Sequence, residues 1–315
     1  MNIESAPDIT VNQSPLVPTQ LMTLATSLCQ YSGLAHKSAR VDTNLAGVRL
    51  FRIDSYHKHS PQMYEQGIVI IIQGHKIGHL NQYQFNYDPQ QCLLVTTPYP
   101  IVCETFASQQ QPLIGINIDF DLTVIRQLVT MIESQQQRQF NYEGSCGVAT
   151  TKMTERMYRS VEQLLEVLHD PLDATVIGPS LIRQLFYYLL QGEQGYLLAQ
   201  YCEQDSALSK ISAVIDYVQL HYDTKLQVHE LAAMAGMSVS VFHKVFKQVV
   251  TDPPMQYIKK IRLNNAKTLI LQQGMAANIA AGQVGYESPT QFSREFKRYF
   301  GLPPSKIHEN AGFIR

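Results

Sequence analysis

The sequence predicts a two-domain α+β protein: an N-terminal antiparallel β-barrel or jelly roll with flanking helices, then an all-α domain of tandem helix-turn-helix units. Three observations predict it. Between Val48 and Asp119, short β-branched and aromatic runs alternate with Gly, Pro, Asn and Asp. In the last third, two segments repeat the same ordered features, VHELAAMAGMSVSVFHKVFK from Val228 and NIAAGQVGYESPTQFSREFK from Asn278. Charge divides along the same line: residues 1–204 hold 12 Lys and Arg against 18 Asp and Glu, and residues 205–315 hold 13 against 8. The net charge of −1 therefore conceals an acidic part and a basic part. A length of 315 residues suits about two domains.

Residues 1–20 read as a flexible tail, polar and carrying Pro7, Pro15 and Pro18. Residues 21–191 read as one domain. It opens with a short amphipathic helix, Leu21 to Tyr31, and continues through GVRLFRI, QGIVIIIQG, KIGHL, YQFNYD, CLLVTT, IVCETF and LIGINIDF. Seven or eight evenly spaced short strands suggest the barrel or jelly roll. Helices return with DLTVIRQLVTMIESQ, N-capped by Asp121, and with 151–168 and 174–191. The last two carry apolar faces, Met157, Val161, Leu164, Leu165 and Leu168, then Ile182, Leu185, Phe186 and Leu189. Such faces either cover the barrel or pair with a second subunit. Residues 192–207 read as the linker and 208–310 as the helical domain.

In each repeat a small-residue helix runs into a glycine turn, Gly236 or Gly285, and a serine opens a second helix. Ser238 is the expected N-cap of the first, whose buried stripe is Phe242, Val245, Phe246 and Val249. Ser288 caps the second, Pro289 takes the first helical position, Gln291 completes an S-x-x-Q capping box, and Gly301 stops the helix. Helices of this kind are sized for a DNA major groove. Early positions of such a helix touch base edges, which makes Ser240, His243, Lys244, Thr290, Gln291 and Arg294 the candidate base readers. Arg294 suits the two acceptors of guanine, and Gln291 suits adenine. Lys247, Lys297 and Arg298 suit phosphate, which fixes position without reading sequence. An isolated basic helix face is ordinarily just solvated; two complete capped units argue against that here, least strongly for Arg298. Between the units, 254–272 reads as one helix of roughly 27 Å, close to the ~34 Å of one DNA turn.

Through LAAMAGMS (231–238), PMQYIKKIRLNNAKTLI (254–270) and VGYESPTQFSREFKRYFGLPP (284–304), residues 208–308 resemble the DNA-binding domain of the AraC/XylS transcriptional regulators. The resemblance implies about seven helices with the third and sixth in the major groove, and a promoter-proximal role, usually activation through RNA polymerase. Thr251 departs from the pattern, standing where the family most often has glycine. Through QGHKIGHL, YDPQQCLLVTTPYP and IRQLFYYLLQGEQG, residues 47–201 resemble the N-terminal domain of a subgroup of these regulators. That implies a cupin-like barrel that senses a small-molecule effector, and a homodimer through helices 151–168 and 174–191.

Tyr56, His57, His59, Tyr64 and Glu65 are the effector-pocket candidates. His57-x-His59 with Glu65 also suggests a divalent metal site, and with it a metal-dependent cupin-type enzyme or a metal-sensing regulator as the alternative. Five residues separate His59 from Glu65, and no histidine lies between His79 and His169 to serve as the distal ligand. Hydrogen-bonded or solvent-facing strand histidines are the stronger reading, with no metal, no cofactor and no catalytic residue. Five scattered cysteines without a C-x-x-C pair fit free thiols in a cytoplasmic protein. No apolar run is long enough for a membrane helix. The expected partners are double-stranded DNA, RNA polymerase, a second copy and an unidentified effector.

Overall fold

The computed structural model describes residues 19–80, 83–136, 140, 146–203 and 206–310. The expected tail lies mostly outside the described residues. The N-terminal part opens with helix α1 (Thr19–Tyr31) and continues into β1 (Ala39–Asp42), β2 (Val48–Ile53), β3 (His57–Tyr64), β4 (Gly67–Gln73) and β5 (His75–Leu80). Strands β6 (Tyr83–Tyr87), β7 (Gln91–Val95), β8 (Tyr99–Phe106) and β9 (Leu113–Ile118) follow, then helix α2 (Leu122–Gln136) and β10 (Val148–Lys152). Two antiparallel sheets result, one in the order β1-β2-β9-β4-β7-β10, the other β3-β8-β5-β6.

Sequence pattern explains the placement. GIVIIIQ is apolar throughout, and β4 lies between β9 and β7 with six of its seven residues buried. HKIGHL alternates, so in β5 Lys76, Gly78 and Leu80 turn inward while His75, Ile77 and His79 stay half-buried. The seven strands expected from hydrophobic runs are all present. The three that such runs do not signal, β1, β3 and β10, are all edge strands. An edge needs only one buried face and tolerates polar residues and proline, as in HKHSPQMY with Pro61.

Helices α3 (Glu155–Val167), α4 (Pro171–Val176), α5 (Gly178–Gln191) and α6 (Gly195–Cys202) complete this part. The single helix expected over 174–191 is broken at Ile177. Pro179 occupies the first turn of α5, where it lacks an amide to donate and would clash with a preceding helical turn. Within the span expected as the linker, α6 packs with Leu197, Leu198, Ala199 and Tyr201 buried. The stripes of α3 and α5 are spent inside the chain, since Met157, Val161, Leu164, Leu165, Leu185, Phe186 and Leu189 are all buried.

The C-terminal part is helical: α7 (Ala207–His221), α8 (Val228–Met234), α9 (Val239–Val250), α10 (Pro254–Gln273), α11 (Ala277–Gln283) and α12 (Pro289–Phe300), followed by a 3₁₀ helix at Pro304–Asn310. Its hydrophobic core is divided. Phe242, Phe246, Tyr257 and Ile261 belong to a core continuous with the N-terminal sheets. Ala280, Ala281, Phe292, Phe296 and Phe300 form a second core of their own. No helix among the described residues is long and apolar enough to cross a membrane.

Candidate nucleic-acid interface

Helices α8 and α9 meet at Gly236, whose φ of 66° lets the amides of Gly236 and Met237 return to the carbonyls of Ala233 and Ala232. Ser238 then caps α9, its hydroxyl accepting from Val241 N at 3.4 Å. In α11 and α12 the same turn is made by Gly285, at φ 82°. A Cβ there would lie 2.4 Å from the Asp223 carbonyl oxygen, so close approach as well as backbone sign requires glycine. Ser288 accepts from Gln291 N at 3.3 Å, and Gly301 ends α12 in the left-handed region.

Burial splits α9 and α12 lengthwise. Phe242, Phe246, Val249 and Val250 are buried in α9, and Phe292, Phe296 and Phe300 in α12. Ser240, His243, Lys244 and Lys247 are exposed on α9, as are Thr290, Gln291, Arg294, Lys297 and Arg298 on α12. All nine candidate DNA-contacting side chains thus lie on the open arcs. Val245, expected in the buried stripe, is only half-buried.

One half of the expected capping box is replaced. Instead of Gln291 Oε1 accepting from the backbone amide of the cap, Gln291 Nε2 donates to Glu295 Oε1 at 3.2 Å. Lys259 donates to the same oxygen at 3.1 Å, and the Tyr286 hydroxyl to Oε2 at 2.9 Å. Burial alone would raise the Glu295 carboxyl; the bonds from Gln291, Lys259 and Tyr286 outweigh it and hold the group below the usual carboxylate range. Arg262 staples the second unit, its guanidinium donating to the Tyr222, Gly285 and Thr224 carbonyls at 2.7, 3.0 and 2.7 Å. Neither cluster is legible from helical periodicity, because each joins three separate elements.

A cavity of about 980 Å³ lies between the sheets and helices α7 and α10. Two lysines line it from opposite sides, Lys76 from β5 and Lys267 from α10. Lys76 donates to Gln62 Oε1 at 2.9 Å and to the Tyr64 hydroxyl at 3.2 Å. Lys267 sits 5.2 Å from the centre of the Phe300 ring. Burial pulls both ammonium groups down to about 8. Three side-chain nitrogens bordering the cavity, Arg49 Nε, Gln62 Nε2 and Gln66 Nε2, are buried without a hydrogen-bond partner among the described residues. Phe51, Met63, Val69 and Leu220 supply apolar lining.

Of the effector-pocket candidates, Tyr64 and Glu65 line this cavity. Tyr56 instead is exposed, its hydroxyl bonded to Glu104 and its ring against Phe106. His57 bonds Ser55 Oγ at 3.1 Å and is outside the lining; the side chain of His59 lies outside the described residues. Glu65 is held by Arg40 and Arg49, each at 3.1 Å. His57 and Glu65 thus have different partners, and no group of three ligating residues suited to a metal exists among the described residues.

Comparison with known proteins agrees with this architecture. Residues 44–197 match the family model of the AraC-type transcriptional regulator N-terminus, and residues 231–310 that of a helix-turn-helix domain. The raffinose operon transcriptional regulatory protein of Pediococcus pentosaceus is 29% identical over 158 residues, 50% of this chain and 56% of that protein. The chain spans about half the length of such curated relatives. The transcriptional regulator ExsA of Pseudomonas aeruginosa is 20% identical over 80% of this chain and 88% of its own length. Unsaturated-fatty-acid-bound ToxT of Vibrio cholerae superposes with a TM-score of 0.56 at 12% identity, over 82% of this chain and 93% of that one, a likeness of fold alone. The sheet-rich N-terminal part, the helix-turn-helix domain and their order along one chain establish that this protein belongs to the AraC/XylS family of transcriptional regulators.

Proposed function

We propose that the chain is a sequence-specific, DNA-binding transcriptional activator whose α9 and α12 enter adjacent major grooves as tandem helix-turn-helix readers. The observation that carries this reading is the pair of serine-capped helices with fully exposed basic arcs, held apart by the 20-residue α10. At about 1.5 Å per residue α10 is roughly 30 Å long, close to one DNA turn. Family membership supports RNA polymerase as the second macromolecular contact and the cytoplasm as its place of action.

The N-terminal part is read as a cupin-like sensor whose effector occupies the cavity between the two halves. The two lysines on the lining suit an acceptor-rich anion, and the apolar lining suits a hydrocarbon body. The fatty acid in ToxT is a ligand of that description. A homodimer is retained in the proposal, with its contact narrowed from 151–168 and 174–191 to α4 and the start of the 174–191 span. Since the stripes of α3 and α5 are spent internally, the surface offered to a second copy is Leu172, Val176 and Ile177, which are 71%, 68% and 41% exposed.

Selection of bound sequences from random duplex DNA tests the reading. Two conserved blocks about one helical turn apart are expected, with a second copy of the whole motif if the dimer binds. No enrichment with the full chain, with or without a fatty acid, would overturn it.

A further inference from the structure

The two reading helices share one register. Ser238 and Ser288 are both caps, and each accepts from the amide three residues on. Counted from the caps, buried Phe242 and Phe246 coincide with buried Phe292 and Phe296. Exposed Lys244 and Lys247 coincide with exposed Arg294 and Lys297. In this register the place of Gln291 on α12 is held by Val241 on α9.

Val241 is 48% exposed, one helical turn before Lys244 and on the arc away from Phe242 and Phe246. Neither packing nor helix formation explains it, since a β-branched residue on an open helix face buries little and is a poorer helix former than alanine. Its place in the repeat is that of Gln291, a candidate reader, although its side chain carries no hydrogen-bonding group. In the major groove, the apolar counterpart of such a side chain is the C5-methyl group of thymine.

We propose that Val241 is a specificity-determining residue that packs its methyl groups against the C5-methyl of one thymine in the groove entered by α9. This rests on the DNA-binding reading above. The two half-sites then differ in kind: at one place in the repeat α9 demands an apolar group, while α12 presents the amide of Gln291. An operator read this way has a direction, because exchanging the half-sites sets an amide against a methyl group.

The test uses the full chain and an operator recovered by selection. Each thymine in turn is replaced by deoxyuridine, which retains the pairing and hydrogen-bonding groups and removes only the methyl. The unsubstituted protein is expected to lose about fourfold in affinity at one thymine of the α9 half-site, the value of one buried methyl group. V241A is expected to bind the thymine operator correspondingly less tightly and to be indifferent to uracil at that place. Thermal unfolding unchanged or slightly raised in V241A would separate recognition from folding. Normal operator binding with no uracil-sensitive thymine in that half-site would overturn the proposal, as would a penalty that persists undiminished in V241A. Failure to bind any selected duplex would instead overturn the DNA-binding reading beneath it.

Discussion

The hydroxyl of Tyr99 on β8 hydrogen-bonds the hydroxyl of Thr251, the residue that closes α9. Thr251 has φ 59° and is the only non-glycine residue with positive φ among the described residues. A β-branched residue is strained there by roughly 1–2 kcal/mol. Around it the seam is dense: Tyr257 donates to the Pro98 carbonyl at 2.8 Å, and Gly147 N to the Val249 carbonyl at 2.9 Å. The strained end of α9 is thereby fastened to the N-terminal sheets.

Tyr99→Phe is expected to destabilise the chain by about 1 kcal/mol, the net value of one hydrogen bond. Thr251→Gly relieves strain while losing the same bond, so its net effect on stability is small. In the Thr251→Gly background the Tyr99→Phe cost should largely vanish. Denaturant midpoints of the four proteins check this; an equal Tyr99→Phe cost in both backgrounds would show that the residues are not coupled.

Arg294→Ala should cost about 1–3 kcal/mol on the cognate operator and relax the preference at one base pair, whereas Lys247→Ala should weaken all sequences evenly and lower the salt slope by about one unit. Binding titrations at several salt concentrations on cognate and scrambled duplexes separate the two roles. A sequence-selective loss for Lys247→Ala would contradict its assignment to phosphate.

Lys267→Met addresses the buried charge. The folded-state value of about 8 lies below the ordinary 10.5, so the unfolded chain binds more protons between these limits. The unsubstituted chain therefore pays for this group below pH 8 and recovers as pH rises toward 10.5. The variant is expected to be more stable at pH 7 by on the order of 2–3 kcal/mol, the gap closing as pH rises through that window. Parallel melts across pH 7–10 read the gap directly. A fatty acid should stabilise the unsubstituted chain at pH 7 and leave the variant little changed.

Replacing Leu172 and Val176 together by Asp should convert a dimer to a monomer in light scattering while changing unfolding free energy by less than about 1 kcal/mol, because both side chains are exposed. An unaltered mass would place the dimer contact elsewhere.

Much of the candidate site is legible in the sequence because it is local. Ser238, Phe242, Phe246 and their counterparts at 288, 292 and 296 fall within single helices, where a cap and a 3.6-residue stripe suffice. Val241 differs from them: the proposal for it rests on its position in the repeat, because its side chain has no polar group. The central strands announce themselves as apolar runs, while edge strands such as β3 do not.

The sequence by itself determined the two-part organisation, the acidic and basic division, the strands with buried faces and the exposed polar arcs of α9 and α12. Each of these depends on neighbours within a few residues or on composition. Tertiary structure alone decided that Lys76 and Lys267 border one cavity, that Tyr99 reaches Thr251, and that the first unit shares its core with the sheets while the second has its own. All but the second unit's own core join groups more than a hundred residues apart, and only the closing of the chain on its hydrophobic core brings them together.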